Sequence, residues 1–341
     1  MKKSFSQYLL KPALAGIAAV AALFAGCGKN NAPNGELNTL GIPKESVGVV
    51  HVNVHAARDT QSGKALFDLI EQRSGGSDKK DFAEIKAATG FNYETDIASI
   101  TFGAWFDVQQ LPVVVTIVRG KFDVAKINAY IEKKIGVDKK NETSIEIGKN
   151  KFFRKGGQAF GIVDAQTAIV VQDNSGFKST SSSTKPAVIE KVLAALDSAE
   201  KSYVAPPSLY ALGKSVKTPL LLVFADIENT ALKAFIETNA GEQGKEFRPQ
   251  NARIAIGEND GKLALRAVAE YDTKENAAGV NALALLGIAG LRGEIKKQAP
   301  PSVGKIFNTL KIKAEDKNFV IEADFPAEDF KNVLKEGAVF K

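Results

Sequence analysis

The chain is poor in the residues that carry most catalytic and metal chemistry: of 341 residues one is cysteine, two are histidine, one is tryptophan and one is methionine. One cysteine cannot form an internal disulfide, so the body of the protein must be held together by its core. The two histidines, His51 and His55, fall four apart in a segment that reads as a strand. Along a strand that spacing is about 13 Å, too far for both imidazoles to hold one metal ion. With no other histidine, transition-metal sites and the usual Ser-His or Cys-His catalysis are nearly excluded.

Motifs that would supply other chemistry are also missing. Ser-x-x-Lys spacings occur at Ser77/Lys80, Ser175/Lys178, Ser182/Lys185, Ser198/Lys201 and Ser302/Lys305, a scatter expected by chance. None has the Lys-Thr-Gly strand or the Ser-Asp-Asn loop that such a nucleophile needs, and Lys217-Thr218 runs into Pro219. No Gly-x-Ser-x-Gly elbow, phosphate loop or dinucleotide fingerprint is present. The chain therefore reads as a non-enzyme, with no cofactor and no metal. Its charges are mixed along the sequence, which leaves no basic footprint for nucleic acid.

What is present begins at the N-terminus. Lys2, Lys3 and Lys11 precede an apolar run from Ala13 to Phe24, then Ala25-Gly26-Cys27, the one cysteine. A basic start, a short apolar run and small residues make a secretion signal. The run is shorter than the ~20 residues a spanning helix needs. Without residues 1–26 the chain loses three lysines and no acids, so its formal charge falls from +6 to +3.

Leu23-Phe24-Ala25-Gly26-Cys27 resembles the signal of bacterial lipoproteins, in which the cysteine is lipidated on sulfur and becomes the new N-terminus. Phe24 stands where that family has leucine. The resemblance implies lipidation of Cys27 and attachment to a membrane through its acyl chains. Gly28, where an Asp would retain the protein at the inner membrane, implies the outer membrane, facing the periplasm or the cell surface. Gly28 to Thr39 is rich in Gly, Asn and Pro, the composition of a flexible tether. Such a tether would hold the body on the order of 20 Å from the lipid.

Beyond the tether, 44% hydrophobic residues suffice for a large core or two packed subdomains. One pattern recurs: two period-2 apolar runs, then a helix-period segment. It appears as Ala98 to Phe106, Val113 to Arg119 and the helix Asp123 to Ile135. It returns as Ala252 to Gly257, Leu263 to Tyr271 across Asn259-Asp260-Gly261, and a helix from Asp272. A third copy is Leu310 to Ala314, Asn318 to Phe325 and the helix Pro326 to Leu334, and a looser one is Ala159 to Asp164, Ala168 to Gln172 and the helix Ala187 to Leu196.

Each half also opens with a strand and a helix, Val47 to Val54 before Gly63 to Gln72 and Leu220 to Ile227 before Thr230 to Thr238. The reading is an α+β chain of two ferredoxin-like, βαββαβ-type halves made by internal duplication, with antiparallel sheets and helices on one face. Its segments are a leader, 1–26; a tether, 27–39; and halves at 40–200 and 201–341, with Ala205-Pro206-Pro207 near the junction. The arrangement resembles large, poorly characterised envelope proteins of Gram-negative bacteria.

Ala277 to Leu291 is the most apolar stretch of the body and is apolar on all sides. At that length it is expected as a core helix between subdomains, with a membrane or partner contact as the alternative. Candidate binding residues are His51 and Asn53, expected on a solvated strand face, and Thr101 and Trp105, in register with Ser99 and Gly103. The function expected is that of a lipid-anchored envelope protein that binds another envelope protein or a cell-wall component. The alternatives are a periplasmic protein holding a small or lipidic ligand between its halves, and a hydrolase acting through paired carboxylates.

Overall fold

The computed structural model describes residues 36–65, 83–107, 111–135, 144–155, 157–173, 184–234, 248–298 and 300–335. The leader, Cys27 and most of the tether lie outside the described residues. The described residues divide into two compact units, one containing those of 36–55 and 83–205, the other those of 56–65 and 206–335.

In the first unit the chain runs through β1 (Gly48–Val52), into α1 (Val54–Asp59), and back through α2 (Tyr93–Asp96), β2 (Ile97–Phe106), β3 (Pro112–Gly120) and α3 (Val124–Ile135). It continues as β4 (Ser144–Ile147), β5 (Asn150–Lys155), β6 (Gln158–Asp164), β7 (Thr167–Asp173) and α4 (Pro186–Asp197). The sheet order is β1-β2-β3-β7-β6-β5-β4, with antiparallel neighbours throughout. Alternation explains the register: Val113, Val115 and Ile117 of β3 point to one face and are wholly buried. Asp123 starts α3 by accepting the N–H of Lys126 at 3.0 Å. Ile127 is turned into the core behind it.

The second unit contains α5 (Pro207–Lys214), β8 (Pro219–Asp226), β9 (Asn251–Asn259), β10 (Lys262–Glu270), α6 (Lys274–Gln298), α7 (Pro301–Asn308), β11 (Lys311–Glu315), β12 (Asn318–Pro326) and α8 (Ala327–Lys335). Its strands lie in the antiparallel order β8-β9-β10-β12-β11. Between β9 and β10, Asp260 and Gly261 both take positive φ, 49° and 76°. That is the two-residue turn whose twist matches paired strands, as Asp-Gly predicts.

The same order recurs in both units. Three strands lie side by side in sequence, the last strand returns to pair with the third, and the strand before it lies outside: β1-β2-β3-β7-β6 and β8-β9-β10-β12-β11. The first unit adds β5 and β4 beyond β6.

Three expectations need correction. In a ferredoxin-like unit the first two strands are parallel and split by the third. Here β1 and β2 are direct antiparallel neighbours, Gly48 opposite Ala104 and Val52 opposite Ile100, because the segment between them returns the chain to the end of β1 that it left. The strand expected to reach Val54 stops at Val52, and Val54 to Asp59 turn into α1. The face of β2 that carries the candidates Thr101 and Trp105 is buried together with Ser99, as is the opposite face with Ile100 and Phe102.

Residues from Ala56 onward belong to the second unit because their apolar side chains pack there. Ala57 lies in a core with Leu220, Leu263, Ala323 and Phe325, flanked by Ile306 and Phe330. Of the expected helices at Gly63 to Gln72 and Thr230 to Thr238, residues 61–65 and 230–234 are helical, and the remainder lies outside the described residues.

Candidate functional site

The candidate binding residues come partly together, but not at a surface. His51 and Thr101 are cross-strand partners on β1 and β2, with Nδ1 and Oγ1 2.9 Å apart. Both are buried, which overturns the solvated face expected for His51. The same face carries Val49 opposite Gly103, and Ser99, Trp105, Val115 and Ile117. Asn53 is half-buried in the link between β1 and α1, and His55 lies in α1, so the two histidines do not share a strand.

The cover over this face is the segment that follows the tether. Ile42, wholly buried, lies so close to Gly103 that a Cβ there would meet its Cγ2 at 2.3 Å. The segment is strapped down by the Tyr203 N–H donating to Ile42 O at 2.7 Å and the Thr39 hydroxyl donating to Tyr203 O at 2.6 Å. Arg119 adds two bonds, from Nη2 to Leu40 O at 3.1 Å and from Nη1 to Thr167 Oγ1 at 2.6 Å. Burial pulls the Arg119 pKa down, and the charge of Asp164 opposes that pull. Trp105 is likewise enclosed, with the Lys191 ammonium 5.7 Å from its ring centroid and Glu45 3.3 Å from that ammonium. Packed in this way, these residues build the core of the first unit.

Helix α6 behaves in the opposite way. Thr273 caps its start by accepting the Asn276 N–H at 3.1 Å, and Glu275 lies in its first turn. It rests on β11, β12 and α7, with Ala277 wholly buried and Val280, Ala284 and Ile288 half-buried. The water-facing arc comprises Ala278, Ala282, Leu283, Leu285, Leu286, Gly287, Ala289 and Gly290. Leu283, Leu285 and Leu286 are 56%, 49% and 71% exposed. A Cβ placed at Gly287 or Gly290 would find nothing within 4 Å.

The core helix expected at Ala277 to Leu291 is therefore a surface helix, and its exposed arc contains no polar side chain. Its polar residue, Asn281, is half-buried instead, with Oδ1 buried and without a hydrogen-bond partner among the described residues. Ordinary surface helices carry charge on the outer face. The signal was visible in the sequence as an apolar run without helical period; which residues face water follows only from the packing.

The strands of this unit carry charged pairs on one face. Arg266 holds Asp324 through Nη2 at 2.9 and 2.8 Å, Lys313 lies 3.3 Å from Glu322, and Arg253 lies 3.3 Å from Glu270. These are pairs across neighbouring strands, worth little each in water. Among the described residues no group of His, Cys, Asp or Glu could hold a metal ion, and no helix is long and apolar enough to cross a membrane.

Fold and surface together describe an α+β protein of two antiparallel-sheet units, one of which exposes an apolar helix face. No protein-family model matches the chain, and no curated protein does. Among solved structures it is similar to the treponemal protein TP0453. Crystal form I shares 11% sequence identity over 88% of this chain and 98% of that one, with a TM-score of 0.48. Crystal form III gives 11% identity, 88% and 99% coverage and a TM-score of 0.49. For crystal form IV the values are 11%, 88%, 97% and 0.48.

Proposed function

We propose that this chain is a lipid-anchored cell-envelope protein that works by contact rather than by catalysis. Acyl chains on Cys27 would hold it to the membrane, and the outer arc of α6 would be its contact surface. The observation that carries this reading is the exposure of Leu283, Leu285 and Leu286 on an arc with no polar residue. Contiguous apolar surface left in water marks a site of interaction. The leader ending at Cys27 supports the anchor, and Gly28 supports export to the outer membrane.

The halves, in this reading, arose by duplication of one unit, supported by the strand order that both repeat. Duplication accounts for a large scaffold with little chemistry of its own. The test is fatty-acid labelling and membrane fractionation of the protein beside its Cys27→Ser variant, with crosslinking in intact cells. Label is expected only with Cys27, and attachment through acyl chains with it. Absence of label from the protein that keeps Cys27 would refute the anchor.

A further inference from the structure

We infer that the outer arc of α6 docks onto the surface of an anionic lipid bilayer, lying in the plane of the headgroups. This rests on the reading of α6 as a contact surface and names its partner. Three observations, together with the proposed anchor, favour lipid over protein.

The first is composition. No charged residue stands between Glu275 and Arg292, and the exposed arc is made of Ala, Leu and Gly alone. Protein interfaces are enriched in Tyr, Trp, Phe, Met and Arg and depleted in Ala. An arc of small and aliphatic residues gives a protein partner few anchors, whereas acyl chains need none. The second is length. Residues 277–291 extend over roughly 22 Å, short of the ~30 Å hydrocarbon thickness, so the helix can lie along a bilayer and cannot span it.

The third is charge. Arg292, Glu294, Lys296 and Lys297 follow the apolar run within the helix and sum to +2. A net positive segment that follows an apolar run in sequence is of the sign that anionic phospholipids attract. The proposed anchor adds attachment. A lipidated Cys27 and a tether as short as residues 28–39 keep the bilayer at high effective concentration, so a weak surface contact is sufficient. One acyl anchor with a second signal is also how stable peripheral attachment is generally built.

The test uses the full acylated protein carrying Leu286→Cys, labelled with an environment-sensitive fluorophore. Acylation leaves Cys27 unavailable to the label, and mass spectrometry of its peptide checks this. Val204→Cys serves as the reference, because Val204 is 80% exposed and lies on another segment. Both proteins are reconstituted in vesicles of phosphatidylethanolamine and phosphatidylglycerol.

The expected result is a blue-shifted emission at position 286, quenching by bromines on the acyl chains, and shielding from aqueous iodide of about tenfold or more relative to position 204. Adding Leu283→Ser and Leu285→Ser should abolish the shielding while leaving the thermal melt unchanged. Equal iodide access at 286 and 204 would overturn the inference. So would shielding that grows with protein concentration in the absence of lipid, which would assign the arc to a second copy.

If Cys27 carries no lipid, the anchor fails separately. The same measurement with vesicles added to the Cys27→Ser form then reads α6 alone, shielding at 286 supporting lipid docking and its absence refuting it.

Discussion

The carboxylate of Glu258, near the end of β9, accepts the backbone N–H of Ser62 at 2.8 Å, nearly two hundred residues earlier in the chain. It also accepts the N–H of Gln61 at 3.1 Å. With the Thr60 hydroxyl accepting the Gly63 N–H at 3.1 Å, the first free amides of helix 61–65 are satisfied. One side chain thus ties an early segment to the unit formed by the last third of the chain.

Glu258→Ala should therefore destabilise the protein by about 2 kcal/mol, since it strands buried amides that a charged acceptor had satisfied. Glu258→Gln, which keeps one carbonyl oxygen, should cost less. Urea titration of both variants measures this, and an unchanged midpoint for Glu258→Ala would show that the cap contributes nothing.

Thr101→Val removes the hydroxyl that faces His51 Nδ1 at 2.9 Å while keeping the side-chain shape. The expected cost is about 1 kcal/mol. Combined with His51→Ala in a double-mutant cycle, the two changes should couple by a similar amount. Independent costs that simply add would contradict a direct bond.

Gly103 has no room for a methyl group under Ile42, where a Cβ would meet Cγ2 at 2.3 Å. Gly103→Ala should cost about 1–3 kcal/mol through overpacking. In an Ile42→Ala background the same change should cost much less, because the obstructing side chain is gone. Thermal melts of the three variants test the pair, and an equal penalty in both backgrounds would place the strain elsewhere.

Burial raises the pKa of Tyr271 above its ordinary 10.0. The unfolded chain ionises first, so the stability that the neutral phenol contributes is whole below about pH 10 and is lost as pH rises through the folded value. Tyr271→Phe should flatten the decline that urea midpoints show as pH rises above about 10. Parallel declines in the two proteins would exclude Tyr271 as the source.

The elements were legible where local chemistry decides them. Period-2 alternation marked β2, β3, β10 and β12, Asp260-Gly261 marked its hairpin, and the acids after Pro326 marked the start of α8. Alternation says which residues share a face, and it placed His51 with Asn53 on one side of a strand. It cannot say which face is covered. The strap of residues 39–47, pinned by Tyr203 and Arg119, decides that for His51, Thr101 and Trp105.

For Ala277 to Leu291 the limit was of the same kind. An apolar run long enough for a helix and too short to span a membrane fits a core and a surface equally well. Its burial depends on whether neighbouring elements surround it, and among the described residues β11, β12 and α7 pack against one side. The sequence by itself determined most of the long strands, the Asp-Gly turn and several of the helices, because those depend on period and turn residues. Only the tertiary structure decided that the polar residues of β1 and β2 are core and that the leucines of α6 face water, because burial is a property of neighbours brought together from distant parts of the chain.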